Sequence, residues 1–459
     1  MNERTRTILI ALGPVTALIV AFVTYQLGLE KPAAITAGVT SLCLVWWISD
    51  AVPIPVTSLA PLALLPMLGV LPMVEVSTAY GSPLVLLLLG GFLLSTAVEK
   101  SGAHLRLAMN MVRLFGGGSS RSLVFGFMVA TAVLSMWISN TATALMMLPV
   151  AIAVVEKSPD KDLPVPLLLG IAYGASIGGI GTPIGTPPNL EFIAVYAVTF
   201  GETISFGQWM AWGLPVVVVL LPIAGVWLTR NLKYTGKVSI PDVGEWTPHE
   251  RRVMIVFVCT ALGWITRTGP FGGWSAWFDV PYTNDAMVAF IAVILMFVIP
   301  SGDKGRLLDW DTALKIPWGM LLLFGAGISI AKAFVSSGLS EVLGAYLTNV
   351  ASWEVLLMMV MICLGVTFLT EATSNTATTT LLMPILAAAA VAAAVDPRLL
   401  MVPAAMSASC AFMLPVATPP NVIVFSTNRF PLTRMVREGF VLNLIGVALI
   451  ATICYFVVR

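Results

Sequence analysis

Charged residues are scarce in this chain. Only 10% of its 459 residues are Asp, Glu, Lys or Arg, whereas an average soluble domain has roughly 25%. The net charge is +1, so charge gives no reason to expect a nucleic acid or an acidic protein partner. Hydrophobic residues make up 58% of the chain, and apolar runs long enough to span a bilayer recur along it. The runs are continuous and do not alternate, which argues against a transmembrane β-barrel. The composition therefore predicts an all-α polytopic membrane protein.

Metal-ligating and catalytic side chains are also sparse. The pattern His-Glu-x-x-His of zinc proteases is absent, and "GAS" at 174–176 has no evident base beside its serine. The histidines His104 and His249 lie in polar connecting segments. The cysteines lie far apart in apolar segments, without metal-ligand spacing, at Cys43, Cys259, Cys363, Cys410 and Cys454. The sequence thus gives no support for an enzyme or for a Cys/His metal site.

The apolar runs predict eleven membrane crossings. Two of them, about 165–200 and 398–428, are interrupted near their middles by "GTPIGTPPN" (181–189) and "LPVATPPN" (414–421). The first run has no small-residue cleavage site, so we interpret it as a retained span and not as a signal peptide. The nine continuous spans are predicted at about 8–28, 33–49, 55–72, 78–98, 208–229, 252–268, 281–299, 318–335 and 434–456.

Two further apolar segments, about 122–156 and 353–391, each carry a polar Ser-Asn-Thr halfway along. Each could cross the membrane twice or turn back at mid-depth as a re-entrant hairpin. In both cases a cytoplasmic N-terminus leaves only Lys31, Arg267, Arg398 and Arg459 outside, and most of the 24 basic residues inside. A leg of about 15–18 residues reaches roughly 25 Å, less than a core of ~30 Å. We therefore expect two re-entrant hairpins.

The chain contains an internal repeat. "SNTAT" at 139–143 recurs at 374–378, an offset of 235, and Pro149 recurs as Pro384. "GTPPN" at 185–189 recurs as "ATPPN" at 417–421, an offset of 232. Five predicted crossings separate the hairpins, and an odd number inverts the second copy. Inverted repeats with discontinuous helices are typical of secondary transporters, whose site lies near mid-membrane at the repeat interface.

A hairpin tip of this composition suits an anion. The helix after the tip begins with unpaired backbone N–H groups and the positive end of its dipole, which favour a carboxylate or phosphate. Ser, Asn and Thr add neutral hydrogen bonds. Two tips from opposite faces could therefore hold the two ends of one small dianion, which predicts a dicarboxylate. The substrate-binding candidates are Ser139, Asn140, Thr141, Ser374, Asn375 and Thr376.

The same tips suit sodium. No Lys, Arg or His lies in either motif or its partner loop, so a bound dianion lacks a side-chain counter-charge that helix dipoles of about +0.5 cannot replace. Broken backbone rich in oxygen suits Na⁺. The ion candidates are Ser135, Ser139, Asn140 and Gly185 in the first half, and Thr370, Thr373, Asn375 and Ala417 in the second. Gly185 and Ala417 can offer only their carbonyls.

The duplicated Ser-Asn-Thr and Thr-Pro-Pro-Asn motifs resemble those of the divalent anion:sodium symporter family, which includes bacterial di- and tricarboxylate transporters. The resemblance covers nearly the whole chain. It implies a homodimer with a scaffold domain and a mobile transport domain, which carries the substrate by an elevator-like movement. It also implies that Asn140, Thr141, Asn375 and Thr376 contact substrate carboxylates, with one sodium site beside each motif.

The expected function is import of a C4-dicarboxylate such as succinate, malate or fumarate with sodium, across a bacterial inner membrane. Sodium-independent exchange, or transport of citrate or sulfate, is the alternative within the family; a channel is a further alternative.

The predicted layout is N-terminal scaffold helices at 1–77, a first repeat at 78–230, connecting helices at 231–300 and a second repeat at 301–459. The N-terminus is expected in the cytoplasm and the C-terminus outside. Glu371 could tune the second ion site or make a structural pairing. Lys332 could pair with an acid or snorkel along the interfacial arm at 336–352.

Overall fold

Helices make up nearly all the regular secondary structure of the part of the chain that the structure describes. The structure is a computed structural model, and it describes residues 2–116, 119–233, 244–269, 272–302, 305–347 and 354–459. Within these ranges the only β pairing is a bridge between Pro300 and Arg306. The expectation of an all-α membrane protein is confirmed for this part of the chain.

The N-terminal region contains two long helices and two short ones, α1 (Glu3–Gln26), α2 (Lys31–Ser49), α3 (Ile54–Thr57) and α4 (Ala60–Met67). The prediction of one continuous span at 55–72 is wrong. Four prolines lie between residues 53 and 66, and each removes a backbone donor. Ser58 Oγ also bonds back to the Ile54 carbonyl, 2.7 Å away, so the helix stops and restarts. Asp50 ends α2 in the left-handed region, at φ 50°.

The next three helices are α5 (Met73–Tyr80), α6 (Pro83–Ser101) and α7 (Ala103–Gly116). Gly102, at φ 78°, lets the chain turn sharply from α6 into α7. Lys332 donates hydrogen bonds to the Glu75 carbonyl and the Thr78 hydroxyl of α5, both at 3.2 Å. Among the described contacts Lys332 therefore has neutral partners and does not pair with an acid.

The first copy of the repeat continues with α8 (Ser120–Ser135) and α9 (Asn140–Lys157). It ends with α10 (Pro164–Gly179), α11 (Pro187–Phe200) and α12 (Phe206–Thr229). Helices α8 and α9 form a helix–bend–helix unit of 16 and 18 residues. Prolines at the first positions of α10 and α11 suit helix starts, because a first-turn N–H has no partner in the helix.

The connecting region and the second copy follow the same order. The connecting helices are α13 (Pro248–Ile265), α14 (Gly273–Trp277), α15 (Asp285–Val298) and α16 (Trp310–Ala313). The second copy contains α17 (Trp318–Ser336), α18 (Leu339–Leu347), α19 (Val355–Ala372), α20 (Asn375–Ala392), α21 (Pro397–Ala408), α22 (Pro419–Phe425) and α23 (Leu432–Val457), with a 3₁₀ turn at Pro415–Ala417. Residue 353, where the second hairpin is predicted to begin, lies outside the described residues.

Nine helical stretches among the described residues are long and apolar enough to cross a membrane. They include α9, α19 and α20, so length alone does not distinguish a crossing from a hairpin leg, and the re-entrant depth stays a prediction. Helix α1 exposes Leu18 (73%) and Phe22 (63%), as expected of a helix that faces lipid.

The helices pack in two groups. Helix α17 contacts α2, α3, α4 and α5, and α6 contacts α13 and α15. The second group joins α8, α10 and α12 with α19, α21 and α23. Between the two copies of the repeat, α11 packs on α20 and α22 packs on α9. Each interrupted helix thus reaches across to the hairpin of the other copy.

Candidate functional site

The first tip, residues 136–139, is the bend between α8 and α9. Ser135 Oγ donates a 2.6 Å hydrogen bond to Asn140 Oδ1. Ser139 Oγ accepts the Ala142 N–H at 3.2 Å and so caps the start of α9. The predicted polar side chains therefore surround a helix N-terminus, the arrangement that favours negative charge.

The second tip, residues 373–374, is the bend between α19 and α20. Thr370 Oγ1 lies 2.9 Å from Asn375 Oδ1 and 3.1 Å from the Ala408 carbonyl oxygen, and can donate to either. This pair corresponds to Ser135 and Asn140 at the repeat offset. The hydroxyls of Thr373 and Thr378 are 2.6 Å apart. Ser374 makes no capping bond to α20, which is a difference from Ser139.

The first loop (180–186) and the second loop (409–418) interrupt the two broken helices. Asn189 Nδ2 donates to the carbonyls of Gly179 and Thr182, at 2.9 and 2.7 Å. Asn421 Nδ2 donates to those of Ala411 and Leu414, both at 3.0 Å. Donors and acceptors all correspond at the offset of 232. Each amide thus fixes the bend before its helix. These two asparagines have no role among the predicted site residues, although their repetition is visible in the sequence.

Each loop is tied to its tip at one equivalent pair of positions, 136 with 182 and 371 with 414. In the first copy the Thr182 hydroxyl donates to the Met136 carbonyl. In the second copy the Glu371 carboxylate accepts the N–H groups of Met413 and Leu414, at 2.8 and 2.9 Å. In both copies the loop donates and the tip accepts, but the polar side chain belongs to the loop in the first copy and to the tip in the second.

Helices α12 and α23 support the loops from behind. A Cβ on Gly213 would lie 2.5 Å from the Ile180 carbonyl oxygen, and one on Gly439 would lie 2.2 Å from that of Phe412. Both contacts need glycine, because a real Cβ does not approach so closely. In the second copy Asn443 adds a 2.7 Å bond from Nδ2 to Glu371 and accepts the Phe412 N–H at 3.2 Å.

Glycines also bring oxygen atoms together beside the first tip. A Cβ on Gly179 would lie 2.9 Å from Asn140 Oδ1 and 3.2 Å from the Gly185 carbonyl oxygen. A Cβ on Gly185 would lie 2.5 Å from the Gly179 carbonyl oxygen. Carbonyl and amide oxygens with no side chain between them fit a small hard cation. Beside the second tip a different set of oxygens lies close together, since the Thr370 hydroxyl is near both Asn375 Oδ1 and the Ala408 carbonyl oxygen.

A short series of contacts joins the two tips. Asn140 lies against Gly179 and the first loop. Thr186, at the end of that loop, accepts from Ser409 Oγ at 3.4 Å. Ser409 follows Ala408, whose carbonyl lies beside Thr370 of the second hairpin. The predicted site residues of the two copies therefore lie at one interface.

The predicted residues differ in accessibility. The half-buried ones include both asparagines, while Thr376 is 6% exposed. Gly185 and Ala417 occupy equivalent turns, since their N–H groups bond to the carbonyls of Thr182 and Leu414. The half-buried group is Ser139, Asn140, Thr141, Thr373, Ser374 and Asn375, and the buried group is Ser135, Gly185, Thr370, Thr376 and Ala417.

Glu371 is a charged residue beside the second tip. Its carboxylate accepts three hydrogen bonds, from two backbone N–H groups and the Asn443 amide. The structural pairing considered for Glu371 is thus observed. A cavity beside the first tip, lined by Ser95, Trp137, Ser139 and Ile184, separates that tip from α6.

The chain is similar to known proteins in three respects, namely its match to a family model, its sequence identity to relatives and its fold. A family model described as citrate transporter matches residues 44–401. The sodium-dependent dicarboxylate transporter SdcS of Staphylococcus saprophyticus is 38% identical to the chain, over 97% of this chain and 90% of its own length. The protein of the same name from Staphylococcus aureus is also 38% identical, with the same coverage.

Two solved structures share the fold. The Alcanivorax borkumensis YdaH transporter matches with a TM-score of 0.62 and 13% identity, over 91% of this chain and 98% of its own. MtrF of Neisseria gonorrhoeae, an antimetabolite efflux pump, matches with a TM-score of 0.60 and 14% identity, over 84% of each chain. At such identities the likeness concerns the fold alone.

Proposed function

The chain belongs to the divalent anion:sodium symporter family and matches the citrate transporter family model, and on that premise we propose that it imports C4-dicarboxylates together with sodium. Its relatives along nearly the whole chain are named sodium-dependent dicarboxylate transporters. The proposal is a secondary transporter with no catalytic activity of its own. Succinate, malate and fumarate are small molecules with two carboxylates, and each carboxylate could bind at one of the two tips.

One observation carries the proposal. The Ser135–Asn140 and Thr370–Asn375 hydrogen bonds are equivalent in the two copies, and contacts between the copies join them at one interface. A site built twice from the same parts suits a ligand that has the same group at both ends. A dicarboxylate is such a ligand.

In this mechanism each tip receives one carboxylate. Asn140, Thr141 and Ser139 bind one end, and Asn375, Thr376 and Ser374 bind the other. The amides and hydroxyls donate hydrogen bonds, and the N-termini of α9 and α20 add favourable dipoles. Neutral donors satisfy the carboxylate oxygens without burying a charged side chain, whose desolvation is costly.

Sodium supplies the missing positive charge. Ser135, Ser139, Asn140 and Gly185 offer oxygen atoms to one ion, and Thr370, Thr373, Asn375 and Ala417 offer them to a second. The close approach of Gly179 and Gly185 to Asn140 supports the first site. Since Asn140 and Asn375 serve both ion and substrate, ion binding orders the amide that the carboxylate then meets, which couples the two.

The packing supports an elevator-like division. Helices α8–α12 and α19–α23 carry both tips and would form the transport domain, while α1–α7 and α13–α18 would form the scaffold. A homodimer held by the scaffold, an N-terminus in the cytoplasm and a C-terminus outside the bacterial inner membrane complete the proposal. Citrate is the second candidate substrate, because the matching family model carries that description.

The test is uptake of radiolabelled succinate into proteoliposomes that hold the purified protein. We expect an inward sodium gradient to drive uptake and its replacement by choline to abolish it. Uptake that needs no sodium but requires preloaded internal anion would establish exchange instead. Competition by unlabelled citrate, malate and sulfate then ranks the substrates.

The asparagine variants test the site itself. Asn140→Ala and Asn375→Ala should each reduce uptake to background while the protein stays folded, as judged by its elution profile and helical circular dichroism. Asn110→Ala is the matched control, since Asn110 is exposed on α7. Near-normal uptake by both tip variants would refute the assigned roles.

A further inference from the structure

Among the described residues, Glu191 of α11 is a buried carboxyl group that has no cationic partner. Its side chain is fully buried, at 0% exposure, and neither carboxylate oxygen has a hydrogen bond or ion pair among the described residues. Ionisable groups in membrane-spanning helices are expensive and usually functional. The roles proposed above for the tips and loops leave Glu191 unused.

The carboxyl lies where three helices meet. A Cβ on Gly327 of α17 would be only 2.0 Å from Glu191 Oε1 and 2.8 Å from Thr380 Cγ2 of α20. The Thr380 hydroxyl is also buried and makes no hydrogen bond of ordinary geometry. Glu191 is therefore enclosed by the glycine gap of α17 on one side and by Thr380 on the other.

Charged groups on the surrounding helices are engaged elsewhere. Helix α11 packs on α6, α17, α20 and α21, and α20 has no charged residue. Lys332 of α17 binds α5, and Arg398 of α21 pairs with Asp396. On α6, Lys100 pairs with Asp309, and Glu99 accepts from Ser95. In the described part of the chain no cation neutralises Glu191.

A carboxylate taken out of water without a partner costs far more free energy than the neutral acid. From this geometry we propose that Glu191 is a proton-binding site of the transporter, protonated when α11 packs against Gly327. The proton neutralises the carboxylate reversibly, and the resulting O–H can donate to Thr380 Oγ1. The inference rests on the proposed function, in which α11 belongs to the moving part and α17 to the scaffold.

Movement gives the proton its role. If α11 slides along α17, the Glu191 carboxyl leaves the gap at Gly327 and must later re-enter it. Re-entry as a carboxylate would be unfavourable, so the neutral form is the one that returns. Because the packed conformation accepts only the neutral carboxyl, the return step should become slower as the proton concentration falls.

The experiment measures sodium-driven succinate uptake between about pH 7 and 9, where succinate is a dianion, with equal pH on both sides. We expect the wild-type rate to fall several-fold over this range. Glu191→Gln should transport at every pH with a flat profile. Glu354→Gln is the matched control, because Glu354 is exposed before α19, and it should keep the wild-type profile.

A second readout does not depend on transport. Thermal unfolding of the purified protein should show a Tm that falls with pH for wild type and less steeply for Glu191→Gln. If the Gln amide prevents folding, Glu191→Met provides an apolar group of similar size and should also flatten the profile. If the wild type shows no sodium-driven uptake at any pH, the transport proposal is refuted. If the Tm of the wild type still falls more steeply with pH than the Tm of Glu191→Gln, the proton site is supported independently.

Two results would overturn the inference. Parallel pH profiles of wild type and Glu191→Gln, in both uptake and Tm, would show that the group does not titrate. A lower Hill coefficient for sodium in Glu191→Gln, with a wild-type profile that is flat in pH, would assign the carboxylate to a sodium ion in place of a proton.

Discussion

Each tip is linked to its loop at equivalent positions, but different chemical groups make the link in the two copies. The first tip links to its loop through the hydroxyl of Thr182 and the backbone of Met136, while the second uses the carboxylate of Glu371 and the backbone of Met413 and Leu414. The geometry of the link is retained in both copies, and the residue that supplies the polar side chain is not. Both copies therefore keep the bend. In the second copy a single charged side chain, Glu371, stabilises it, so that copy depends more on one residue.

The largest effect should come from removing that side chain. Glu371→Ala leaves two backbone N–H groups and the Asn443 amide without their acceptor, and we expect a loss of about 3–5 kcal/mol in the free energy of unfolding. Thermal and denaturant unfolding of the purified protein would measure it. Met136→Ala, at the equivalent position, should cost no more than about 1–2 kcal/mol, since its carbonyl stays. Equal losses would remove the asymmetry described here.

The supporting glycines should show the next largest effect. Gly439→Ala and Gly213→Ala would each push a Cβ into a loop carbonyl, and we expect about 1–3 kcal/mol of destabilisation from each. Both variants should also weaken the sodium dependence of uptake, because the loop moves. Gly365→Ala in α19, where a Cβ meets open space, is the control and should be neutral or slightly stabilising.

A smaller change is expected from the hydroxyl of the first loop. Thr182→Val keeps the shape of the side chain and deletes its bond to Met136, which should cost about 1 kcal/mol and raise the sodium concentration needed for half-maximal uptake. Thr266→Val, whose hydroxyl bonds within its own helix, should leave sodium dependence unchanged. An unaltered sodium titration in Thr182→Val would separate the loop link from ion binding.

The two serines should differ in stability by an amount no larger than the effect of Thr182→Val. Ser139 caps α9 and Ser374 does not cap α20, so Ser139→Ala should lose about 1 kcal/mol and Ser374→Ala very little. Unfolding without substrate isolates this term. Uptake should decline in both variants if both hydroxyls meet a carboxylate, and a decline in Ser139→Ala alone would limit substrate contact to the first tip.

The sequence predicted the bends well because they consist of local chemistry. Ser-Asn-Thr favours a helix start and Pro-Pro begins a helix, and both patterns repeat at fixed offsets. Asn189 and Asn421 donate hydrogen bonds to carbonyls that lie only ten and seven residues away in the chain. The repetition of these two asparagines in the sequence could therefore have identified their role.

Contacts between distant segments could not be predicted in the same way. The bond from Asn443 to Glu371 spans 72 residues, and the Glu191 environment combines α11, α17 and α20, which no period in the sequence brings together. The segment at 55–72 was mistaken for one span because its hydropathy outweighed its prolines in the prediction.

The reciprocal packing of α22 on α9 and of α11 on α20 has a consequence for biogenesis. Helix α9 is synthesised well before residues 419–425. The first bend must therefore remain incompletely covered in the bilayer until α22 has been inserted. A chain truncated before α22 would contain the whole first copy of the repeat and still lack a contact that completes it.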